Sequence, residues 1–548
     1  MAHALAGKPV QEQDIIDVQT IVDAYFDNVP DMTNPTQLVS FGTSGHRGTS
    51  VDGTFTDLHV AAITQAICDG RKQFGATGPI FVGQDTHALS QPALVTVLEV
   101  LAGNGVTAMV DCDMDFVPTP SVSRAIIRYN EEHDDKADGI IITPSHNPPD
   151  NGGIKYNTII GGPADTVVTK WIEMRANEYL TAYCESEDFK RISIDNIEPT
   201  AQVPYDYKGL YVEELGDVIN MEAIKAAGPK VLVDALGGSG ASYWNAIKER
   251  YGLDLTIIHD DYDPTFSFMT YDHDGKVRMD CSSTYVMASV INRIGNFDLA
   301  VGNDPDYDRY GIVVSSGLIS ANTFLTLAAR YLFTTRGWKN KGVGKTVVCT
   351  TMIDKWAADA ETPVFEVPVG FKYFSQLLFD GAIGIGGEES AGASFLKKDG
   401  TVWTTDKDGM IMALLSMEIM AVMGKSALKM ADESLEEFGN PSFGRIDAPC
   451  KKEQKQILKQ MSAELITATT VDGDPITNIR TTSLYNDMPI DGVRVETDKG
   501  WFVARPSGTE DLYKIYGESY KGDLGLVALL TAGEEIVNAA LNGTIETE

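Results

Sequence analysis

The stretch DGIIITPSHNPPDNGGIKYN, Asp138–Asn157, decides the fold. It opens with a short apolar run, Gly139 to Ile142, which reads as a strand buried on both faces. It then turns polar at once, presenting a serine, a histidine and an asparagine among prolines, and returns through Gly152 and Gly153 to Lys155. A buried strand that delivers reactive side chains at its end fits an open α/β sheet, where ligands gather beyond the carboxyl ends of the strands.

Working outward, PIFVGQD (79–85) and GVTAMV (105–110) read as partner strands, with helical QPALVTVLEVLAGNG between them. The same plan recurs twice. PKVLVDAL (229–236), LDLTIIH (253–259) and FDLAVGNDPDYDRYGIVV (297–314) form one set, and KTVVCTTMID (345–354), TPVFEVPVGF (362–371) and AIGIGGEESAGASF (382–395) another. Each set ends in an apolar strand, a polar loop and a return, so the class is α/β with a divergent structural repeat. The expected architecture is three similar mixed α/β sheet domains, 1–205, 206–318 and 319–440, whose polar loops would face one cleft. After residue 440 the texture changes to a charged helical stretch, KKEQKQILKQMSAELI, then strands around GVRVETDKGWFVARPSGTEDLYKIYGES and a last helix, predicting a distinct α+β domain over 441–548. FGNPSFGR (438–445) is the expected hinge.

Composition bounds the function. With 44 Lys and Arg against 78 Asp and Glu, the net charge of -34 disfavours nucleic acid and anionic membranes as partners. An anionic substrate would need a local basic cluster strong enough to outweigh that field. Six cysteines lie far apart without metal-ligand or redox spacing, which suggests a reducing cytoplasm. The start of the chain lacks a secretory pattern, and no apolar run approaches the ~20 residues of a membrane span. A soluble, cytoplasmic protein is expected.

In NDPDYDR, Asp304, Asp306 and Asp308 alternate, so an extended loop would put all three carboxylates on one face. Such a cluster calls for a hard cation, Mg²⁺ above all; the alternative is a solvated Asx-turn. A Ca²⁺ EF-hand fits badly, because its sixth and twelfth positions would be Arg309 and Ser315 rather than Gly and Glu. RPSGTED follows an apolar strand and offers Arg505, Ser507, Gly508 and Thr509 as a phosphate cradle, or else an ordinary turn. GGEES places Glu388 and Ser390 where sugar hydroxyls could be held, although a helix cap would use the same residues. Gly370 and Lys372 in VPVGFK, and Lys407 in TTDKDG, add positive charge at element ends. FGTSGHRG brings Ser44, His46 and Arg47 into a glycine-punctuated loop that lacks the Gly-Lys-Ser/Thr ending of a P-loop. Beside these groups Ser145 reads as a covalent phosphate carrier, with His146 and Lys155 as charge-stabilising or proton-transfer groups; a capping serine is the plainer reading.

Taken together and in this order, TSGHRG, TPSHNP, DPDYDR, GEES and RPSGTE resemble the α-D-phosphohexomutases, most nearly the bacterial branch specific for glucose phosphate. The resemblance runs from about Phe41 to the last strands. It implies that Ser145 is phosphorylated in the active enzyme and that Mg²⁺ binds Asp304, Asp306, Asp308 and the Ser145 phosphate. It further implies that Arg47 and His146 flank the phosphoserine, with Lys155 and Arg309 nearby. Glu388 and Ser390 would hold ring hydroxyls, Arg505, Ser507, Gly508 and Thr509 the non-reacting phosphate, and Lys407 would serve acid-base chemistry. The reaction expected from the resemblance interconverts α-D-glucose 1-phosphate and glucose 6-phosphate through bound glucose 1,6-bisphosphate. A phosphomannomutase, a phosphoglucosamine mutase, a phosphatase and a non-catalytic sugar-phosphate-binding protein are the rivals. The sequence leaves the oligomeric state open. One departure, Thr-Pro before the serine where many relatives have Thr-Ala, predicts a stiffer loop.

Overall fold

The computed structural model describes residues 2–42, 44–184, 189–507 and 512–541. The chain forms two compact units. The first is Met1–Ala321 with Phe374–Ala382 and Ser390–Leu428; the second is Asn322–Tyr373 with Ile383–Glu389 and Lys429–Glu548.

The first unit holds two mixed sheets. One comprises β1 (His46–Thr49), β2 (Ile80–Gln84), β3 (Ala108–Asp111), β4 (Asp138–Ile142), β5 (Asn151–Asn157) and β6 (Gln202–Tyr205), in the order β1-β5-β4-β2-β3-β6. β4 is buried throughout, and its side chains alternate between two cores. Ile140 and Ile142 pack with Val60, Ile63, Val97 and Leu98, while Ile141 packs with Phe81, Val122 and Ile126. That two-sided burial explains why the sequence reads as a continuous apolar run rather than as an alternation. The other sheet comprises β7 (Val231–Asp234), β8 (Leu255–Ile258), β9 (Leu299–Asn303), β10 (Tyr310–Val314) and β11 (Gly317–Leu318), ordered β11-β10-β9-β7-β8.

In the second unit, β12 (Gly342–Thr346) pairs in parallel with both β13 (Val364–Val367) and β14 (Ile383–Gly387). The repeat is explicit in these pairings. β2, β7 and β12 each lie between the next two strands of their set, and all six contacts are parallel. The same unit carries a six-stranded sheet running Ser442–Pro449, Leu512–Ser519, Gly500–Pro506, Pro489–Thr497, Asp474–Thr482 and Thr470–Val471, antiparallel throughout its recorded pairs. The helix Gly522–Leu541 packs Leu529, Leu530 and Val537 into its core.

Two local expectations change. KTVVCTTMID is not one strand: β12 ends at Thr346 and a helix starts at Met352, while Val347, Val348 and Cys349 are buried in the turn between. Short apolar runs report burial, and burial does not require a strand. The helix expected over KKEQKQILKQMSAELI stops at Lys459. The segment 438–445 lies within the second unit, and from Ser442 it is a strand paired residue by residue with Leu512–Ser519.

Candidate active site

β4 and β5 are antiparallel neighbours, and the loop between them carries Ser145. Ser145 is buried and adopts φ 59°, a left-handed conformation that costs a non-glycine residue roughly 1–3 kcal/mol. Its backbone N–H donates to Thr143 Oγ1 at 2.7 Å, and its hydroxyl donates to Asp304 Oδ2 at 2.8 Å. His146 Nδ1 lies 3.4 Å from the same hydroxyl. The close return of β5 depends on Gly153, where a Cβ would come within 2.2 Å of the Thr143 carbonyl.

Asp304, Asp306 and Asp308 join β9 to β10 and are fully buried. The joining segment is a turn and not the extended loop expected: Tyr307 takes φ 62° and its N–H donates to the Asp304 carbonyl at 2.9 Å. The carboxylates converge all the same, with one oxygen from each within 4.8 Å of the others. Lys155 Nζ, from β5, donates to Asp306 at 2.6 Å and to Asp308 at 3.1 Å, and Lys407 Nζ lies 2.8 Å from Asp308. Burial raises the proton affinity of the Asp304 and Asp308 carboxylates. At Asp308 the two ammonium groups outweigh burial and hold its pKa well below the usual range, whereas Asp304, beside two other acids, is pushed well above it. Asp306 Oδ1 and Asp308 Oδ1 are buried without hydrogen-bond partners. An all-oxygen donor set with unfilled buried lone pairs fits a hard divalent cation.

Arg309 donates its backbone N–H to Asp304 Oδ1 at 3.0 Å, and its guanidinium lies 3.8 Å from both Asp308 and Asp280. Asp280 Oδ2 is also 3.9 Å from His146 Nε2. Burial and then the Arg309 charge keep His146 well below its ordinary pKa. Arg47, on β1 opposite Gly153, reaches Asn147 at 3.5 Å and Ser44 at 3.3 Å. His46, by contrast, is buried away from this cluster, between Ser40 and the Thr54 carbonyl. The first unit thus gathers Arg47, Ser145, His146, Lys155, the three aspartates, Arg309 and Lys407. Ser390 follows in this unit as a half-buried turn residue.

In the second unit, Gly370, at φ 132°, donates its N–H to Glu388 Oε1 at 3.1 Å, and Lys372 opens the helix Lys372–Phe379. Arg505 lies at the end of the strand Gly500–Pro506, with its Nε buried and unbonded, and Ser507 donates its N–H to the Leu512 carbonyl at 2.8 Å. Gly508 and Thr509 lie outside the described residues.

Several groups that shape the site escaped the sequence reading. Thr119, first in the helix Thr119–Glu132, donates its hydroxyl to Asp306 at 2.7 Å. Asp85 accepts the Thr143 hydroxyl at 2.6 Å. Asp85 had a legible signal, since it follows a buried strand at its carboxyl end, as Thr143 does. Asp280 had none, because its loop, MDCSS, looks like any polar turn.

The chain matches the phosphoglucomutase/phosphomannomutase family models for alpha/beta/alpha domain I over residues 38–182, domain II over 210–317, domain III over 320–438 and the C-terminal domain over 447–524. It is 46% identical over 539 residues to a phosphoglucomutase of Komagataeibacter xylinus, with 97% of each chain covered. It is 26% identical to phosphoglucomutase 1 of Saccharomyces cerevisiae, with 88% of each covered. In fold it resembles a putative phosphomannomutase from Thermus thermophilus, with a TM-score of 0.72 at 23% identity over 91% of this chain and 99% of that one. The open form of parafusin from Paramecium also gives a TM-score of 0.72, at 20% identity over 94% and 96%.

Proposed function

This chain belongs to the phosphoglucomutase/phosphomannomutase family, and from that we propose that it interconverts α-D-glucose 1-phosphate and glucose 6-phosphate by way of phosphorylated Ser145 and bound glucose 1,6-bisphosphate. The observation that carries this reading is the Ser145 hydroxyl held 2.8 Å from Asp304, at the edge of a buried three-aspartate cluster. The glucose preference is supported by 46% identity to a named phosphoglucomutase over nearly the whole chain.

In the first transfer the P–O bond to Ser145 breaks and a bond to the free sugar hydroxyl forms, with the hydroxyl proton passing to a base. The bisphosphate reorients, and Ser145 Oγ takes the other phosphoryl group back. One oxygen from each of Asp304, Asp306 and Asp308, with an oxygen of the phosphoserine, would hold Mg²⁺. The ion would supply charge neutralisation for a phosphoryl group in a loose, in-line transition state. Lys155 and Arg309 keep positive charge beside the same carboxylates, and Arg47 adds a guanidinium next to the serine loop. Since the one Ser145 hydroxyl proton goes to Asp304, His146 can donate its Nδ1–H to the Ser145 oxygen and steady it for attack. Lys407 is assigned to proton transfer at the sugar hydroxyl. In the second unit, Glu388 is assigned to ring hydroxyls, Gly370 and Lys372 to substrate contacts beside it, and Arg505 with Ser507 to a phosphate; Ser390 in the first unit is assigned to ring hydroxyls. Cys68, Cys112, Cys281 and Cys349 form no disulfide, as a cytoplasmic setting allows.

The test follows glucose 1-phosphate and mannose 1-phosphate with and without EDTA and trace glucose 1,6-bisphosphate. Glucose 6-phosphate should form, faster with bisphosphate and not at all with EDTA, and Ser145→Ala should be inactive. Release of inorganic phosphate instead would make the protein a phosphatase, and equal turnover of mannose 1-phosphate would remove the glucose preference. Activity indifferent to both EDTA and bisphosphate would overturn the mechanism.

A further inference from the structure

Ser145 occupies a backbone conformation that its own side chain disfavours, so something must hold it there. Two hydrogen-bonded arms reach its loop from a single buried pair beyond β2. Asp85 Oδ2 accepts the Thr143 hydroxyl at 2.6 Å, and Thr143 Oγ1 in turn accepts the Ser145 N–H at 2.7 Å. Thr143 has one hydroxyl proton, and Asp85 takes it, so a lone pair on that oxygen is left to face the serine amide. On the other side, His87 Nε2 lies 3.1 Å from the Asn147 carbonyl, and its Nδ1 lies 2.8 Å from Asp85 Oδ2. A carbonyl and a carboxylate can only accept, so both ring nitrogens carry protons and His87 is an imidazolium. Burial works against that charge, but the adjoining Asp85 carboxylate outweighs it and raises the His87 pKa. Asp85 is fixed as well. It accepts the Ser90 hydroxyl at 2.6 Å and the His87 N–H at 3.0 Å, and its own N–H donates to the Ile142 carbonyl at 3.0 Å. Asp85, His87, Ser90 and Thr143 are all essentially buried.

We propose that Asp85 and His87 are positioning residues for the nucleophile, clamping the loop on both sides of Ser145, at Thr143 and at Asn147, so that the serine keeps its left-handed backbone and its hydroxyl points to Asp304. Neither residue touches the reacting atoms; each acts through a neighbour of the serine. The inference rests on the reading of Ser145 as the phosphoryl carrier, but the clamp itself can be measured without turnover.

The experiment compares Thr143→Val, Thr143→Ser, Asp85→Asn and His87→Gln in the full chain, by hydrogen–deuterium exchange over residues 143–151 and by steady-state kinetics with glucose 1-phosphate. Loss of one arm should open the loop locally, so exchange there should rise about tenfold or more in Thr143→Val, while the helix Ser90–Gly103 stays protected. Thr143→Ser keeps the hydroxyl and should exchange like the wild type. In the same variants kcat should fall by about 100-fold in Thr143→Val, from misplacement of the nucleophile, and recover in Thr143→Ser, with KM within about threefold throughout. Asp85→Asn and His87→Gln should follow Thr143→Val. Wild-type exchange in Thr143→Val, equal opening in Thr143→Ser, or a rise in KM with kcat unchanged would overturn the clamp. A wild-type chain that transfers no phosphate would sink the functional reading instead, and the exchange data would still decide the clamp.

Discussion

Lys155 shows at the scale of one residue how this site is balanced. Its ammonium is buried between Asp306 and Asp308, and although burial disfavours its charge, the two carboxylates raise its pKa. Removing one partner of a buried charge pair leaves the other uncompensated and costs about 3–5 kcal/mol. Lys155→Met should therefore lower the melting temperature in EDTA, and added Mg²⁺ should raise it more in the variant than in the wild type. A variant that melts like the wild type in EDTA would show that the pairing contributes nothing. Residues of this kind are only half legible in a sequence. Ser145 and the aspartates stand out because each sits in a short loop dense with chemistry after an apolar strand. The partner of Asp306 at Thr119 lies 187 positions away, and Asp85 lies 58 positions from Thr143, separations over which no local pattern connects them.

At the scale of elements, close approach decides where loops can sit. Gly409 opens the helix Gly409–Met423 and donates its N–H to the Tyr307 carbonyl at 2.9 Å, which binds the Lys407 segment to the aspartate turn. A Cβ at Gly409 would lie 2.0 Å from the Arg309 carbonyl, so no side chain fits without moving that turn. Gly409→Ala should reduce both kcat and the melting temperature, by displacing Asp308 and Lys407 together; unchanged kinetics would show that the turn tolerates the shift. A second element carries a pH dependence. His59 caps the helix Asp57–Gly70, where Nδ1 accepts the Thr56 N–H at 3.2 Å and Nε2 donates to the Gln37 carbonyl at 2.8 Å, so the ring is neutral. Burial, and then neighbouring His46, push its pKa from 6.5 down to about 3. Below pH 6.5 the unfolded chain takes up a proton that the folded chain refuses, so this contribution is present above 6.5 and is lost as the pH falls toward 3. The melting temperature should fall over that interval, and His59→Gln should flatten the slope even if it lowers the absolute value. An identical slope would mean that other groups govern acid unfolding.

At the scale of the whole molecule, a net charge of -34 makes each compact unit repel itself. Salt screens that repulsion, the Debye length shrinking from about 10 Å at 0.1 M to about 3 Å at 1 M. Thermal unfolding should therefore shift upward as KCl rises over that range, and indifference to salt would show that the acidic surface is locally compensated. The sequence by itself determined the α/β class, the threefold repeat and the distinct last sheet, and it singled out the serine and the three acids that the structure brings together. It could do so because strand burial and loop chemistry are local, written within about ten consecutive residues at a time. Only the tertiary structure decided that the aspartate loop is a turn, that KTVVCTTMID is mostly not strand, and that Lys155 and Lys407 share Asp308. It also decided that Asp85 and His87, just beyond β2, reach the serine loop at Thr143 and Asn147. These depend on which distant segments share a sheet edge, and that is fixed by packing of the whole core.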